Sequence, residues 1–162
     1  LMERGGEQWV PMREFADQCH HAKEDAILFP AMEDKGVPHG GCPLEELMHE
    51  HARGRELVSA LATATLAGGD VSASGAARSA IAGIQQLYPN HIWKEDEMVF
   101  PMARRLFTEA ELDALGARFE QAEIDLDQNH DRFVAFADEM AALLEQALAG
   151  EPERPCDPRA SR

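Results

Sequence analysis

An eleven-residue pattern occurs twice in this chain and constrains its fold more than any other feature. His20-His-Ala-Lys-Glu24-Asp-Ala-Ile-Leu-Phe-Pro30 returns as His91-Ile-Trp-Lys-Glu95-Asp-Glu-Met-Val-Phe-Pro101. Both copies read H-x-x-K-E-D-x-(two apolar)-F-P. A His and a Glu four residues apart stand one above the other on a helix face. Two such pairs, from two helices, would bring imidazoles and carboxylates to one buried point. That is the ligand mixture a pair of iron or manganese ions takes inside a helical bundle.

The rest of the chain reads as helix. Apolar residues do not alternate with polar ones over any length, whereas Ala, Leu, Glu and Met recur at helical spacing. Four helices are expected. The first runs from about Pro11 to about Glu33, and the second from the His39–Pro43 loop to about Leu66. A flexible link over residues 70–75 leads to a third at about 76–106, bent or broken near Pro89 and Pro101. Thr108-Glu-Ala-Glu111 is a capping box opening the last helical region, which extends to about Leu148 with a break near residues 127–129. The expected organisation is one helical domain over residues 1–149 and a disordered tail over 150–162.

Charge excludes several classes of partner. Thirty acidic residues against fifteen basic give a net charge of −15, which repels phosphate backbones and anionic membranes. Cys19, Cys42 and Cys156 lack zinc-site spacing and, being odd in number, suggest a reducing compartment. No apolar run reaches membrane-spanning length and no signal pattern opens the chain, so a cytoplasmic location is expected. Leu1 is not an initiator, which leaves a fragment, a trimmed chain or a start at Met2 as readings.

Helical phase sorts the histidines. Met12, Ala16, His20, Glu24, Ile27, Leu28 and Ala31 form one stripe, apolar except for His20 and Glu24. His21 falls in line with Glu14, Asp17, Gln18 and Asp25, which places it outward. Ile81, Ile84, Tyr88, His91, Glu95, Met98 and Met102 form the matching stripe on the third helix. His49 and His51 lie about 200° apart; His51 follows the apolar residues and His49 the charged ones. His130 is in phase with Leu126, Phe133, Ala137, Met140 and Leu144, but a packed core histidine is the favoured reading there.

A lone His/Glu pair is ordinarily a surface ion pair worth a few tenths of a kcal/mol. Here both pairs lie on apolar stripes, and burying a carboxylate without a partner costs several kcal/mol. Lys23 and Lys94 sit one residue off the stripes. Metal is therefore the more economical explanation. Tyr88 is expected in the core or against the ligands, and Cys19 as a small buried residue.

These segments, with Glu50-His-Ala-Arg-Gly-Arg55 and Tyr88-Pro-Asn-His91, resemble the hemerythrin-like, or HHE cation-binding, family across most of residues 9–106. The resemblance implies an antiparallel four-helix bundle enclosing a non-haem di-iron centre. It implies His20, His51 and His91 as terminal ligands, and Glu24 and Glu95 as carboxylates bridging two iron ions in an Fe–O–Fe type centre, with other divalent metals as alternatives. The family pattern also carries a histidine on a helix before the first motif. Residues 1–19 contain none, so the family's first helix is expected to be missing or truncated, with an extra helical region at the C-terminal end. Either that ligand is absent or another residue, such as His130, replaces it.

Three classes of function remain open on these grounds. One is a sensor or carrier for a small ligand such as dioxygen or nitric oxide, or for iron. Another is a di-iron redox enzyme acting on peroxide or nitric oxide, or in iron–sulfur cluster repair. The third is a metal-free bundle, disfavoured by the doubled motif. Fold and ligands alone do not separate the first two.

Overall fold

The computed structural model describes residues 19–40, 43–66 and 71–125, with isolated helical positions at 135, 138–139, 141–142 and 145–146. The chain divides into one unit of Leu1–Gln128 and another of Asn129–Arg162. The described positions of the second unit are helical and exposed. No strand occurs among the described residues, and the all-α expectation holds. The expected start near Pro11, the break near 127–129, the end near Leu148 and the tail all lie outside the described residues.

The described residues of the first unit form four rods. The first covers residues 19–34 and contains a π-helical turn, π1 (Glu24–Leu28), followed by α1 (Phe29–Asp34). The second is α2 (Pro43–Leu66). The third contains α3 (Val71–Lys94), π2 (Glu95–Val99) and α4 (Phe100–Leu106). The fourth is α5 (Glu109–Asp125). The flexible link expected over residues 70–75 is not seen: α3 already begins at Val71. Pro89 sits inside α3 without ending it.

The two copies of the motif fold alike. In each, the wide turn begins at the glutamate, and the Phe amide closes it five residues back, Phe29 onto Glu24 and Phe100 onto Glu95. The following Pro occupies the second position of the next α-helix. A proline inside a helix has no N–H and presses on the carbonyl four residues back. Opening the preceding turn relieves both problems without breaking the rod. Such π-bulges are common at functional sites.

Pairings across the bundle show that neighbouring rods are antiparallel. Along α2 and α3, Lys94 meets Glu46 and Glu50, Tyr88 covers Gly54, and Leu57 covers Gly83. One number rises as the other falls. The first rod and α5 behave likewise: Lys23 pairs with Glu123 and lies over Phe119, while Lys35 pairs with Glu111 and lies over Phe107.

The turns follow local chemistry. The first rod ends with Gly36 at φ 94°, a left-handed conformation that glycine adopts without Cβ strain. There the Gly36 amide donates to Glu33 O and the Val37 amide to Met32 O, closing a Schellman motif before Pro38. The capping box is formed as expected: Glu111 accepts from the Thr108 amide at 2.9 Å, and the Glu111 amide approaches Thr108 Oγ1 at 3.4 Å.

A continuous apolar cluster fills the end of the bundle beyond the two glutamates, with apolar residues of both motifs in it. Phe29, Met32, Leu44, Leu47 and Val99 are at most 1 % exposed there, joined by Leu28, Ala103, Phe107 and Leu115. Burial of this kind contributes about 25 cal/mol per Å² of apolar surface, and it anchors the Phe-Pro end of each motif. The stripe expected on the third rod needs two corrections. Ile81 is exposed, and so is Met98, because π2 turns Val99 inward in its place.

Candidate metal centre

The two motifs and α2 place six ionisable groups in the middle of the bundle. Glu24, Glu95, His51, His91 and His21 are buried, and the His20 side chain is 41 % exposed. Glu24 and Glu95 each stand at the first position of a π turn, on facing rods.

Each carboxylate reaches in two directions. From His20 Nε2, Glu24 Oε1 lies at 3.7 Å and Glu95 Oε2 at 3.9 Å. Their other oxygens face α2 and α3. Glu24 Oε2 is 3.4 Å from His51 Nε2, and Glu95 Oε1 is 4.0 Å from His51 Nε2 and 2.9 Å from His91 Nε2. The carboxylates therefore lie between His20 on one side and a cluster of imidazoles on the other.

Six of the polar atoms at this point make no hydrogen bond of good geometry, although His91 Nε2 and Glu95 Oε1 lie at ion-pair distance. They are both Glu24 oxygens, Glu95 Oε1, His51 Nε2, His91 Nε2 and His21 Nδ1, all buried. Buried polar groups are almost always satisfied, and each one left unmade costs about 1–3 kcal/mol. Six converging on one point, all lone-pair donors or able to become so, fit a cation. Two groups have atoms close enough to hold one: His20 with Glu24 and Glu95, and His21 with His51 and His91, each set lying within 4.8 Å.

Protonation follows from the same crowding. Burial pushes the Glu24 carboxyl up to about 7. Burial would raise Glu95 as well, but the imidazoles of His20, His51 and His91 that face it outweigh this and hold that carboxylate below its usual range. Two carboxylates facing one another do not ionise independently, and it is Glu24 that burial and the Glu95 charge push toward the protonated form. For His51, burial is outweighed by the hydrogen bond to Asp25 and the facing carboxylates of Glu95 and Glu24, which take its pKa to about 9. Burial holds His21 neutral, down to about 3. Burial also pushes the Cys19 thiol up, so it stays protonated, in line with the small buried residue expected.

An outer ring of charged groups orients the imidazoles. Asp25 Oδ1 accepts from His51 Nδ1 at 2.7 Å and Glu50 Oε2 from His91 Nδ1 at 3.1 Å, leaving Nε2 of both rings toward the glutamates. Glu50 is itself held by buried Lys94 at 2.6 Å, which also binds Glu46 at 2.5 Å. Histidine ligands in metal sites characteristically donate their second N–H in this way. Asp25, Glu50 and Lys94 were not among the residues expected here. A trace of them was present in the fixed Lys and Asp of the motif, although Asp96, the counterpart of Asp25, is exposed.

His20, Glu24, His51, His91 and Glu95 are thus brought together. His49 is exposed, as expected, and His130 lies outside the described residues. The outward placement expected for His21 is wrong: it is 2 % exposed and stacks on His51 at 4.1 Å. The ideal-helix phase fails because residues 19–21 adopt a π-helical turn, which widens the helix and lets adjacent residues face the same interior. Tyr88 packs its ring 5.7 Å from His91 and 6.1 Å from His21, against the imidazoles as expected.

A helical bundle with carboxylates and imidazoles converging in its core has the architecture of a metal-binding helical protein. The model of the hemerythrin HHE cation binding domain matches residues 12–103, more than half of the chain, and the chain belongs to that family. No curated protein and no solved structure shows a significant match to it.

Proposed function

We propose that this protein holds two iron ions between Glu24 and Glu95 and uses them to capture a small ligand, dioxygen or nitric oxide, as a cytoplasmic sensor or carrier. The observation that carries this reading is the double reach of the two carboxylates, each with one oxygen toward His20 and the other toward His51. Such carboxylates would bridge two ions, with His20, His51 and His91 as terminal ligands. When bound, ferrous iron supplies electrons and open coordination positions for diatomic ligands.

The chain's own residues do the rest. Asp25 and Glu50 hold the tautomers of His51 and His91. Ile27, Leu28 and Val99 are buried beside the glutamates and exclude water, which strengthens electrostatic interactions within. The half-exposed His20 marks the side from which a small molecule enters. No helix among the described residues is long and apolar enough to cross a membrane, and the acidic surface disfavours nucleic acid.

A redox enzyme is the second reading, favoured by one observation. Glu46, Lys94 and Glu50 form a hydrogen-bonded chain from an exposed carboxylate to His91, a path along which turnover could draw protons. Metal content and the ultraviolet–visible spectrum of the purified protein test the common core of both readings. Two irons per chain with near-ultraviolet oxo-bridge bands are expected; purified protein that neither contains nor takes up iron overturns them. Rapid consumption of peroxide or nitric oxide over many turnovers would decide for the enzyme.

A further inference from the structure

We propose that His21 is a metal ligand, supplying with His51 and His91 a three-imidazole position that makes the two halves of the centre unequal. This rests on the metal-binding reading above, but it concerns a residue outside the motif spacing. In the second copy its place is taken by Ile92, which is exposed. The two copies therefore diverge at this position, apolar and outward in one, imidazole and inward in the other.

The His21 side chain lies inside the bundle with Nδ1 buried and without a hydrogen-bond partner. Its ring centre is 4.1 Å from that of His51 and 5.2 Å from that of His91. One ring nitrogen from each of the three lies within 4.8 Å of the others. Nε2 of His51 and of His91 likewise make no hydrogen bond of good geometry. A histidine placed here for packing alone would leave a buried nitrogen unsatisfied, where an apolar residue of similar size would not. The absence of an outer partner on Nδ1 distinguishes His21 from His51 and His91, whose Nδ1 atoms face Asp25 and Glu50.

Counting donors gives the consequence. The position between His21, His51 and His91 also faces Glu24 Oε2 and Glu95 Oε1, whereas the other has His20, Glu24 Oε1 and Glu95 Oε2. More donors and deeper burial make the first position the tighter one. The His20 position is the more exposed and the more readily exchanged. His21 supplies the third imidazole of the tighter position from within the first motif.

Anaerobic titration of the metal-free full chain with Co(II), read by its visible absorption, tests this. Wild type should bind a tight and a weaker Co(II). His21→Ala should weaken the tight event at least tenfold, since even changes to outer hydrogen-bond partners cost roughly 10–100-fold. His20→Ala should weaken mainly the other event. Unchanged affinities and an unchanged spectrum in a folded His21→Ala protein would overturn the inference while leaving the metal reading intact. Wild type that binds no Co(II) would bring down the metal reading itself. Should His21→Ala fail to fold, the Co(II)-loaded wild type decides by NMR. Four hyperfine-shifted imidazole spin systems are expected if His21 is a ligand, and three would refute it.

Discussion

Glu50 on α2 accepts a hydrogen bond from Nδ1 of His91 on α3 at 3.1 Å, and this one contact decides which nitrogen of the ring faces Glu95. Lys94, a neighbour of Glu95 in sequence, binds the other oxygen of Glu50. Burial would lower the pKa of that ammonium, but Glu46 and Glu50 more than offset it, and it stays charged. Replacing Glu50 by Ala should weaken metal binding by about 10–100-fold, while Glu50→Gln, which still accepts through its carbonyl, should recover part of the loss. Equal affinity in all three proteins, measured by competition with a coloured chelator, would show that His91 needs no such partner.

The glutamates themselves should matter most. Glu24→Ala and Glu95→Ala should each remove most of the bound metal, because each carboxylate faces both halves of the site. His49→Ala changes an exposed residue and should leave metal content near that of wild type. Elemental analysis of the purified variants checks this, and normal metal in either glutamate variant contradicts the assignment.

Proton release provides a test that needs no variant. In the metal-free protein Glu24 is pushed up to about 7 and His51 up to about 9. Both groups must lose their protons to bind a cation. Below about pH 7 a cation displaces protons from both, between about 7 and 9 mainly from His51, and above about 9 from neither. Affinity should therefore rise with pH across this range and level off near its top. Calorimetry in buffers of differing ionisation enthalpy counts the protons; binding that is independent of pH between about 6 and 9 would exclude these groups as ligands.

Loss of metal should also destabilise the fold. An ion bound only by the native state, at a hundred times its dissociation constant, stabilises by about 2.7 kcal/mol, equivalent to a melting-point change of about 5–10 °C for a domain of this size. A chelator should lower the melting temperature by that order. An identical melting curve before and after chelation would mean that the carboxylates are satisfied by protons instead.

Close packing of α2 against α3 offers a control away from the ligands. A Cβ on Gly83 would lie 2.6 Å from Leu57 Cδ2, and Leu57 is buried. Overpacking costs about 1–3 kcal/mol, against a gain of about 1 kcal/mol in helix propensity. Gly83→Ala should thus lower the melting temperature modestly and leave metal stoichiometry unchanged. A raised melting temperature would show that Leu57 rotates away at little cost.

Much of this molecule is written locally in its sequence. Helical spacing, the Gly36 stop, the Thr108 cap and the pairs His20/Glu24 and His91/Glu95 depend on residues a few positions apart, and so does the break in phase wherever Pro follows the motif. What the ideal period did not show was how far the proline-linked turns widen. The proline-linked π2 replaces Met98 with Val99 in the core, and a separate π turn at residues 19–21 carries His21 inside. The partners of the imidazoles were also out of reach, because Asp25 meets His51, and Glu50 meets His91, only once separate rods have packed. Local spacing determined which groups each helix offers to the interior. The tertiary structure alone decided which of them converge, since convergence depends on helix crossing and phase over dozens of residues, and no short stretch of chain contains that.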